Sequence, residues 1–352
     1  MNGGNPSSEL RIHPPLLSEE REEIYAFLRE KGLEPEAPGA SDYAVSLREA
    51  GSLVAVGGLS GRVIKGVAVD EGLRGRGLAT RVVSELEAEA GRRGITSILA
   101  FTSPGNAAIF GSFGYRIIAA AEGEAILLEK GGGLDAWCAR LAASVGPEGP
   151  RAVVVVNCNP FTLGHQHLVR EAAKRHGRLA VIVVSEEASS FPYEARLRMV
   201  REGTAGIPGV VVLPGSDYIV SRATFPTYFL KDRAGRAAAV HARLDLDLFG
   251  RRIAPALGAD ARFVGEEPYS EVTALYNATM KSVLPSLGIE VVEIPRLRLG
   301  GAAVSASTVR AAIRDGRLED ARSLVPDSTW RYLSSPEAGA VLRAVAESAG
   351  RH

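Results

Sequence analysis

The stretch 152-AVVVVNCNPFTLGHQHL-168 decides the fold of the second half of the chain. Its apolar run, 152–156, has the length of a strand, and the loop that follows turns directly into a helical pattern. The pattern continues with helices predicted at 164–175 and 193–203 and strands predicted at 179–184, 210–213, 237–241, 262–264 and 290–294. Strands that alternate with helices predict a parallel sheet with helices on both faces, which is an α/β fold.

The residues Thr162 to His165 read TLGH and mark the point where the strand gives way to the helix. Ligands of parallel sheets bind at the carboxyl ends of the strands, so this turn is predicted to face a ligand. Gly164 would let a phosphate approach the backbone, and His165 would face the same anion as the free N–H groups of the first helical turn. His167 lies nearly opposite on the helix and is interpreted as a packing or surface histidine.

A second motif, VSASTVR at 304–310, opens another helix. Ser305, Ser307 and Thr308 are good N-cap residues, and a plain capped helix explains them equally well when the motif stands alone. Together with TLGH, the motif resembles the HxGH and ISSTxxR signatures of the nucleotidyltransferase superfamily, with Thr162 as a known variant of the first His. The resemblance implies a Rossmann-like domain that binds ATP without a P-loop, whose sequence pattern the chain lacks.

The first half carries a different pattern, in which three strand-like runs precede the loop LRGRGLA at 73–79 and a further helix. Gly75 and Gly77 allow a sharp turn that exposes backbone N–H groups, and the helix adds its positive N-terminal end. Arg74 and Arg76 add charge. The loop is therefore predicted to cradle a pyrophosphate, although a tight turn with two solvated arginines explains it equally well when it stands alone.

Downstream of this loop, the run NAAIFGSFGY extends from Asn106 to Tyr115. Loop and run together resemble the GCN5-related acetyltransferases over residues 10–128. The resemblance implies an α+β domain that holds the CoA pyrophosphate on the loop and the pantetheine arm along the Asn-led helix. The residues implied to hold a CoA-like arm are Arg74, Gly75, Arg76, Gly77, Ala79, Asn106 and Tyr115. No general base or acceptor pocket can be identified, so it stays open whether this half catalyses acetyl transfer.

The two halves are predicted to be separate domains. Glycines at 131–133 and the run GPEGP at 146–150 are typical of a linker. We therefore predict an acetyltransferase-like domain at 1–130, a linker at 131–150 and a nucleotidyltransferase-like ligase domain at 151–352.

Composition and charge argue against several functions. Lysine plus arginine and aspartate plus glutamate number 41 each, so a nucleic-acid or membrane-surface binder is not expected.

Cys138 and Cys158 form no disulfide framework or zinc cluster, and no metal-binding residues are predicted. Cys158 adjoins the nucleotide motif and could carry a transient thioester, but buried filler is the favoured interpretation of both cysteines. With no signal peptide and no apolar run of membrane-spanning length, a cytoplasmic location is expected.

Longer strings indicate a narrower family. The stretches at 191–205, 214–232 and 264–277, with NCNPFTLGHQHLV at 157–169, closely resemble the citrate lyase ligase family over nearly the whole chain. The resemblance implies that ATP, with Mg²⁺, and acetate form acetyl-adenylate and pyrophosphate. The acetyl group then passes to the thiol of the prosthetic group on the citrate lyase acyl carrier protein subunit, which activates the lyase. That group derives from dephospho-CoA, so the first half could bind it, or free CoA, through its pyrophosphate.

The implied chemistry needs no general base, because acetate is ionised at neutral pH with a pKa of ~4–5, as for side-chain carboxyls. It needs groups that stabilise charge on phosphates. Thr162 and His165 are predicted as the catalytic residues, with His165 at the α-phosphate. The predicted ATP contacts are Asn159 and Gly164, together with Gly265 and Glu267, which are expected to face the adenosine. Ser305, Ser307, Thr308 and Arg310 are expected to hold the β- and γ-phosphates. Arg222 is a further candidate for phosphate or acetate, and a structural ion pair explains it equally well.

Two other functions stay open on the sequence alone. An adenylyl- or cytidylyltransferase would leave the nucleotide on its product and would need extra basic residues for a second phosphate. A non-catalytic module could dock a carrier protein or sense ATP and CoA. Free AMP as a product would exclude the first function, and acetate-driven ATP–pyrophosphate exchange would exclude the second.

Overall fold

The computed structural model describes residues 8–13, 18–33, 42–187, 189–221, 224 and 235–348. The chain falls into two compact units, Met1–Gly133 and Leu134–His352, each with a main sheet of its own. Arg222 lies outside the described residues. Within the ranges just given, no helix combines the length and the apolar character needed to cross a membrane.

The first unit is built on a mostly antiparallel sheet with seven strands among the described residues, in the order β1-β2-β3-β4-β5-β7-β6. Its strands are β1 (Glu9–His13), β2 (Tyr43–Glu49), β3 (Ser52–Ser60), β4 (Val63–Val69), β5 (Ile98–Thr102), β6 (Arg116–Ala121) and β7 (Ala125–Lys130). Its helices are α1 (Ser18–Glu30), α2 (Leu78–Arg92) and α3 (Ala107–Ser112).

Strands β4 and β5 are parallel neighbours that separate along their length. Their pairing is confined to Val63 with Leu99 and Ile64 with Ala100. Strand β4 continues to Val69 along β3, so the two parallel strands part at the end where the glycine-arginine loop begins. The loop therefore leads from this opening into α2.

The second unit contains a five-stranded parallel sheet in the order β10-β9-β8-β11-β12, counted over the described residues. Its strands are β8 (Ala152–Val156), β9 (Leu179–Val183), β10 (Val210–Pro214), β11 (Ala261–Gly265) and β12 (Glu290–Ile294), with a short hairpin of β13 (Arg298–Leu299) and β14 (Ala302–Ala303). Its helices are α4 (Gly133–Val145), α5 (Leu163–His176), α6 (Tyr193–Thr204), α7 (Arg236–Leu248), α8 (Ala254–Leu257), α9 (Glu271–Val283), α10 (Ala306–Arg314), α11 (Asp327–Leu333) and α12 (Gly339–Glu347).

Strand β8 lies at the centre of this sheet. The chain leaves β8 through β9 and β10 on one side and returns through β11 and β12 on the other. The loops after β8 and β11 therefore meet where the strand order reverses, which is the ligand-binding crevice of such sheets. Residues 152–168 form β8 and the start of α5, so they lie at this crevice.

One predicted strand is a helix. Residues 237–241, predicted as a strand, belong to α7. Three consecutive alanines at 237–239 favour a helix, because alanine has the highest helix propensity. The helix buries Ala238, Ala242 and Asp245, whose spacing of three to four residues places them on one face.

The predicted linker also differs from the structure. Residues 131–150 include α4, and contacts assign the chain from Leu134 onward to the second unit. Helix α4 buries Trp137 and Leu141, and the Trp137 ring stacks on Tyr218 with ring centroids 5.9 Å apart. The amphipathic pattern here therefore forms part of the second unit and not a free connector.

Candidate active site

Helix α5 begins with a cap that its own histidine completes. Thr162 is the N-cap, and its Oγ1 accepts the backbone N–H of His165 at 3.4 Å. In return, Nδ1 of His165 accepts the backbone N–H of Thr162 at 3.1 Å and lies 2.9 Å from Thr162 Oγ1. The two residues predicted as catalytic therefore hold each other in place.

This cap determines where the imidazole carries its proton. A backbone N–H can only donate, so Nδ1 of His165 is an acceptor and the ring proton is on Nε2. Desolvation, with added repulsion from Arg296 and Arg310, lowers the pKa of His165 from 6.5 to about 4. His165 is therefore neutral at physiological pH and presents its Nε2–H as a hydrogen-bond donor.

The two sequence motifs meet at Gly164. A Cβ on Gly164 would lie 2.7 Å from the carbonyl oxygen of Val304 and 3.4 Å from Thr162 Oγ1. Glycine is thus required by close contact between the start of α5 and the segment that leads into α10. The sequence predicted that Gly164 makes room for a phosphate, whereas the observed neighbour is protein backbone. TLGH and VSASTVR consequently lie side by side.

Helix α10 begins with the predicted serine cap. Ser305 Oγ accepts the backbone N–H of Thr308 at 3.1 Å and lies 2.8 Å from Thr308 Oγ1. Ser307 and Thr308 are exposed. The first turn of α10 therefore offers hydroxyl and N–H groups to a ligand beside α5, which is a typical arrangement for binding an anion.

Arg310 joins α10 to the loop before α5. Its side chain is buried, with a relative exposure of 5%, and it donates to the carbonyl of Asn159 at 2.5 Å and to Ser307 Oγ at 3.3 Å. Burial, and then repulsion from Arg314, lower the pKa of Arg310. Asn159 in turn uses Oδ1 to accept the backbone N–H of Phe191 at 3.0 Å. Both Arg310 and Asn159 therefore have structural contacts as well as predicted ligand contacts.

Arg196, which the sequence did not single out, ties together the loops at this edge of the sheet. It is fully buried and makes five hydrogen bonds of 2.7–3.0 Å. The acceptors are the carbonyl oxygens of Asn157, Val184, Glu186 and Phe191 and the side-chain oxygen of Asn157. These residues follow β8 and β9 or precede α6, so one guanidinium satisfies carbonyl groups that would otherwise be buried without partners.

An ion pair that sequence reasoning missed joins the loop after β11 to the segment after β12. Glu267, predicted to face the adenosine, accepts the backbone N–H groups of Tyr269 and Ser270 at 3.0 and 3.1 Å. Its other oxygen pairs with Arg296 at 2.7 Å, and Arg296 also donates to the carbonyl of Glu266 at 2.7 Å. Glu267 is thus occupied by protein contacts. No motif marks Arg296 in the sequence, and only its contacts show its place beside the site.

Gly265 ends β11 and leaves open space toward α5. Among the described residues, only Leu168 would approach a Cβ at Gly265, at 4.0 Å, and the carbonyl of Gly265 accepts a hydrogen bond from Asn277 at 3.0 Å. The glycine therefore lies at the carboxyl edge of the sheet as predicted, while its contact with adenosine stays a prediction.

Cys158 lies in the core and not in the site. It is buried, with φ of 53°, and desolvation raises the pKa of its thiol. A buried thiol with a raised pKa is a poor nucleophile, which favours the filler interpretation over a thioester. Cys138 is half-buried, and its Sγ lies 3.6 Å from the carbonyl oxygen of Arg252.

In the first unit, the glycine-arginine loop has the backbone predicted for it. Gly75 and Gly77 have φ values of 82° and 77°, and α2 begins after Gly77 without a side-chain cap. The first N–H groups of α2 thus keep the capacity to bind an anion. An open groove of about 570 Å³ adjoins this turn, with Thr80 and Arg81 in its lining.

The charges of this loop are already paired with acids. Arg74 contacts Glu71 at 3.2 Å, and Arg76 contacts Glu49 at 3.0 Å. A pyrophosphate bound here would have to share the two guanidinium groups with these carboxylates. The backbone, and not free positive charge, is therefore the main attraction that the loop offers.

The residues predicted along the pantetheine arm occupy different environments. Ala79 lies in the first turn of α2, and Asn106 precedes α3 and donates to Thr102 Oγ1 at 2.8 Å. Tyr115 is buried in the core against Phe110, with ring centroids 5.4 Å apart. The structure thus gives Tyr115 a packing role, which the Gly-Tyr pattern alone could not distinguish from a ligand contact.

Comparison with known proteins decides the family. A family model described as the citrate lyase ligase C-terminal domain matches residues 151–333. A citrate (pro-3S)-lyase ligase from Klebsiella pneumoniae is 41% identical over 318 residues, which cover 89% of this chain and 92% of the relative. The chain belongs to the citrate lyase ligase family. A second relative of this name, from Escherichia coli (strain K12), is 38% identical over 319 residues. The matched region spans 89% of this chain and 90% of the relative.

The first unit of this citrate lyase ligase family member matches a second model, the acetyltransferase (GNAT) family, at residues 14–113. The structure of an acyl-CoA N-acyltransferase from Pseudomonas aeruginosa aligns with 35% of this chain over 99% of the acyltransferase chain, with 16% identity and a TM-score of 0.32. The two family models confirm the predicted order of an acetyltransferase-like domain followed by a ligase domain. The predictions of fold class, family and ligase function are thereby confirmed.

Proposed function

We propose that this chain activates citrate lyase by acetylating the thiol of its acyl carrier protein, with acetate and MgATP as co-substrates. An acetate oxygen attacks the α-phosphorus of ATP, and the bond from that phosphorus to the bridging β-phosphate oxygen breaks. The products are acetyl-adenylate and pyrophosphate. The carrier thiol, whose proton passes to solvent, then attacks the acetyl carbonyl carbon, and AMP leaves.

The contact between TLGH and VSASTVR at Gly164 and Val304 is the observation that carries this proposal. It brings the first turn of α5, which carries His165, next to the segment that leads into α10. Negative charge on the α-phosphate oxygens rises in the transition state, and a donor already held by Thr162 stabilises that charge without reorganisation. His165 is therefore the proposed catalytic residue, and Thr162 positions it.

The β- and γ-phosphates are proposed to lie at the start of α10. Ser305, Ser307 and Thr308 would donate to them, with the guanidinium of Arg310 behind the same turn. These donors suit phosphate oxygens. The Mg²⁺ ion would be held largely by the phosphates themselves and would neutralise part of their charge.

The first unit is proposed to hold the dephospho-CoA-type prosthetic group of the carrier protein, or free CoA. The left-handed Gly75 and Gly77 and the uncapped start of α2 support a pyrophosphate site there. We also propose a cytoplasmic location, which two free cysteines and a requirement for ATP support.

The proposed function is tested by isotope exchange between pyrophosphate and ATP. The wild-type protein should catalyse this exchange only when acetate is present, and it should release free AMP only when the thiol-form carrier protein is added. A nucleotide that stays attached to the product would indicate a simple adenylyltransferase instead. No exchange with acetate, in a protein that binds ATP, would contradict adenylate formation.

A further inference from the structure

Tyr269 is exposed to an unusual degree for an aromatic side chain. With 68% relative exposure, it is the most exposed large hydrophobic residue among the described part of the chain. It follows the carboxyl end of β11 by four residues, and its backbone N–H is held by Glu267 at 3.0 Å. The loop is therefore positioned by a defined contact, while the ring is left in solvent.

Arg296 lies against the same ring. Its guanidinium carbon is 5.4 Å from the ring centroid of Tyr269. Glu267 contacts Arg296 at 2.7 Å and the carbonyl of Glu266 accepts from it at 2.7 Å, so the guanidinium cannot turn freely. Because Glu267 balances its charge, Arg296 offers a flat surface more than a free cation. Tyr269 and Arg296 together form what we term the ring platform.

The position of the ring platform relates it to the proposed phosphate site. Its loop follows β11, the direct neighbour of β8, and β8 leads into His165. Gly265, at the end of β11, leaves the space toward α5 open except for Leu168 at 4.0 Å. The charge of Arg296 is close enough to His165 to influence its pKa. The platform therefore follows the strand next to β8, at the same carboxyl edge of the sheet as the turn that carries His165.

We propose that the ring platform binds the adenine base of ATP by stacking, with the ring of Tyr269 as the main contact. This inference rests on the proposed function and assigns the adenosine end of that site, which was predicted at Gly265 and Glu267. An exposed aromatic ring suits a purine because every base has a flat face, and stacking of this kind contributes about 1–3 kcal/mol per base. The planar guanidinium supports the ring from its other side.

Equilibrium binding of ATP and of inorganic tripolyphosphate to the intact protein tests the platform directly. Tyr269→Ala should weaken ATP binding by about tenfold, which corresponds to ~1.4 kcal/mol, and should leave tripolyphosphate binding unchanged because that ligand has no base. Tyr269→Phe should recover most of the lost affinity. Ile117→Ala, at another exposed apolar position, is the matched control and should bind both ligands as the wild type does.

Three outcomes would overturn the proposal. Unchanged ATP affinity in Tyr269→Ala would show that the ring does not contact the base. An equal loss for ATP and tripolyphosphate would show that the substitution disturbs the phosphate site. Normal ATP binding with defective acetyl transfer from the adenylate to the carrier protein would place the adenine of the carrier's prosthetic group, and not that of ATP, on the ring. Because binding is measured without turnover, absent pyrophosphate exchange in the wild type would contradict the proposed function alone.

Discussion

Single hydrogen bonds decide what His165 can do. The TLGH pattern predicted this residue and its place at the start of α5, but only the bond from the Thr162 N–H to Nδ1 places the proton on Nε2. The serine-rich motif likewise predicted Ser305 as a helix cap. Arg296 was missed because its ion pair with Glu267 joins residues 29 positions apart. Sequence spacing indicates neighbours within one helix or strand, and contacts between distant segments fall outside it.

Replacement of His165 tests its role as a donor. His165→Ala should lower acetate-dependent pyrophosphate exchange by about 10²–10³, the usual cost of losing one preorganised donor, with the fold intact by circular dichroism. His167→Ala is the matched control, because His167 lies nearly opposite on α5, and it should exchange almost normally. Near-normal exchange in folded His165→Ala would remove His165 from the mechanism.

The pH dependence of exchange tests the protonation state of the same residue. Because the pKa of His165 is lowered to about 4, the imidazole should stay neutral as the pH falls through 6.5, the ordinary histidine value. With acetate saturating as its anion, the exchange rate should show no acid limb between about pH 5.5 and 8. A limb centred near pH 6.5 that disappears in His165→Gln would show that the neutral-donor assignment is wrong.

Arg310 should tolerate even a conservative change poorly. In Arg310→Lys, a single ammonium replaces a fork that reaches both the Asn159 carbonyl and Ser307 Oγ. Loss of one charge-assisted hydrogen bond predicts an increase of roughly tenfold in the KM for ATP. Arg317→Lys, at an exposed arginine paired with nearby aspartates, is the control. Equal ATP kinetics in the two variants would make Arg310 a structural residue only.

At the scale of elements, the alternating pattern predicted the central strands well because they are buried on both faces and apolar throughout. The predictions from the local pattern fail where a segment packs against residues that are distant in the sequence. Residues 237–241 read as a strand although they continue a helix with buried residues on one face. The segment at 131–150 was predicted as a linker because it begins and ends with glycines and prolines. The sequence does not show that Trp137 in this segment packs on Tyr218.

The contact between α5 and the approach to α10 can be tested with one methyl group. Gly164→Ala would place a carbon 2.7 Å from the Val304 carbonyl, which should destabilise the second unit by about 1–3 kcal/mol and lower exchange. Gly91→Ala, inside α2 with open space around it, should instead stabilise the first unit by roughly 0.5–1 kcal/mol. Urea unfolding of both variants measures the change in the free energy of unfolding, which should fall in Gly164→Ala and rise in Gly91→Ala. A harmless Gly164→Ala would mean that the two helices need not touch.

At the scale of the whole molecule, the sequence predicted two domains of the right kinds and in the right order. It predicted the pyrophosphate loop from its glycines but could not show that Arg74 and Arg76 already have acidic partners. It also predicted Tyr115 as a possible contact of a CoA-like arm, but it could not show that the residue is buried in the core. Whether an aromatic side chain faces a ligand or the core depends on which element covers it, and that is a property of the assembled unit.

The division of labour between the units predicts separable half-reactions. Gly75→Val with Gly77→Val should block access of a pyrophosphate to the loop, so acetyl transfer to the carrier protein should fail while pyrophosphate exchange persists. Gly61→Val with Gly94→Val imposes similar left-handed strain on the same unit, at φ values of 55° and 72°, away from the loop. This control pair should transfer normally. If the loop variant also transfers normally, the first unit does not hold the prosthetic group.

Helix α4 has a consequence for any attempt to excise the second unit. A fragment that starts at residue 151 would discard Trp137 and Leu141 and leave the face of Tyr218 without its stacked neighbour. This fragment would expose apolar surface that α4 normally buries, and it should be prone to aggregation and to proteolysis. A fragment that starts at residue 133 keeps the helix and should stay folded when the unit is produced alone. The shorter fragment, which starts at residue 151, should not.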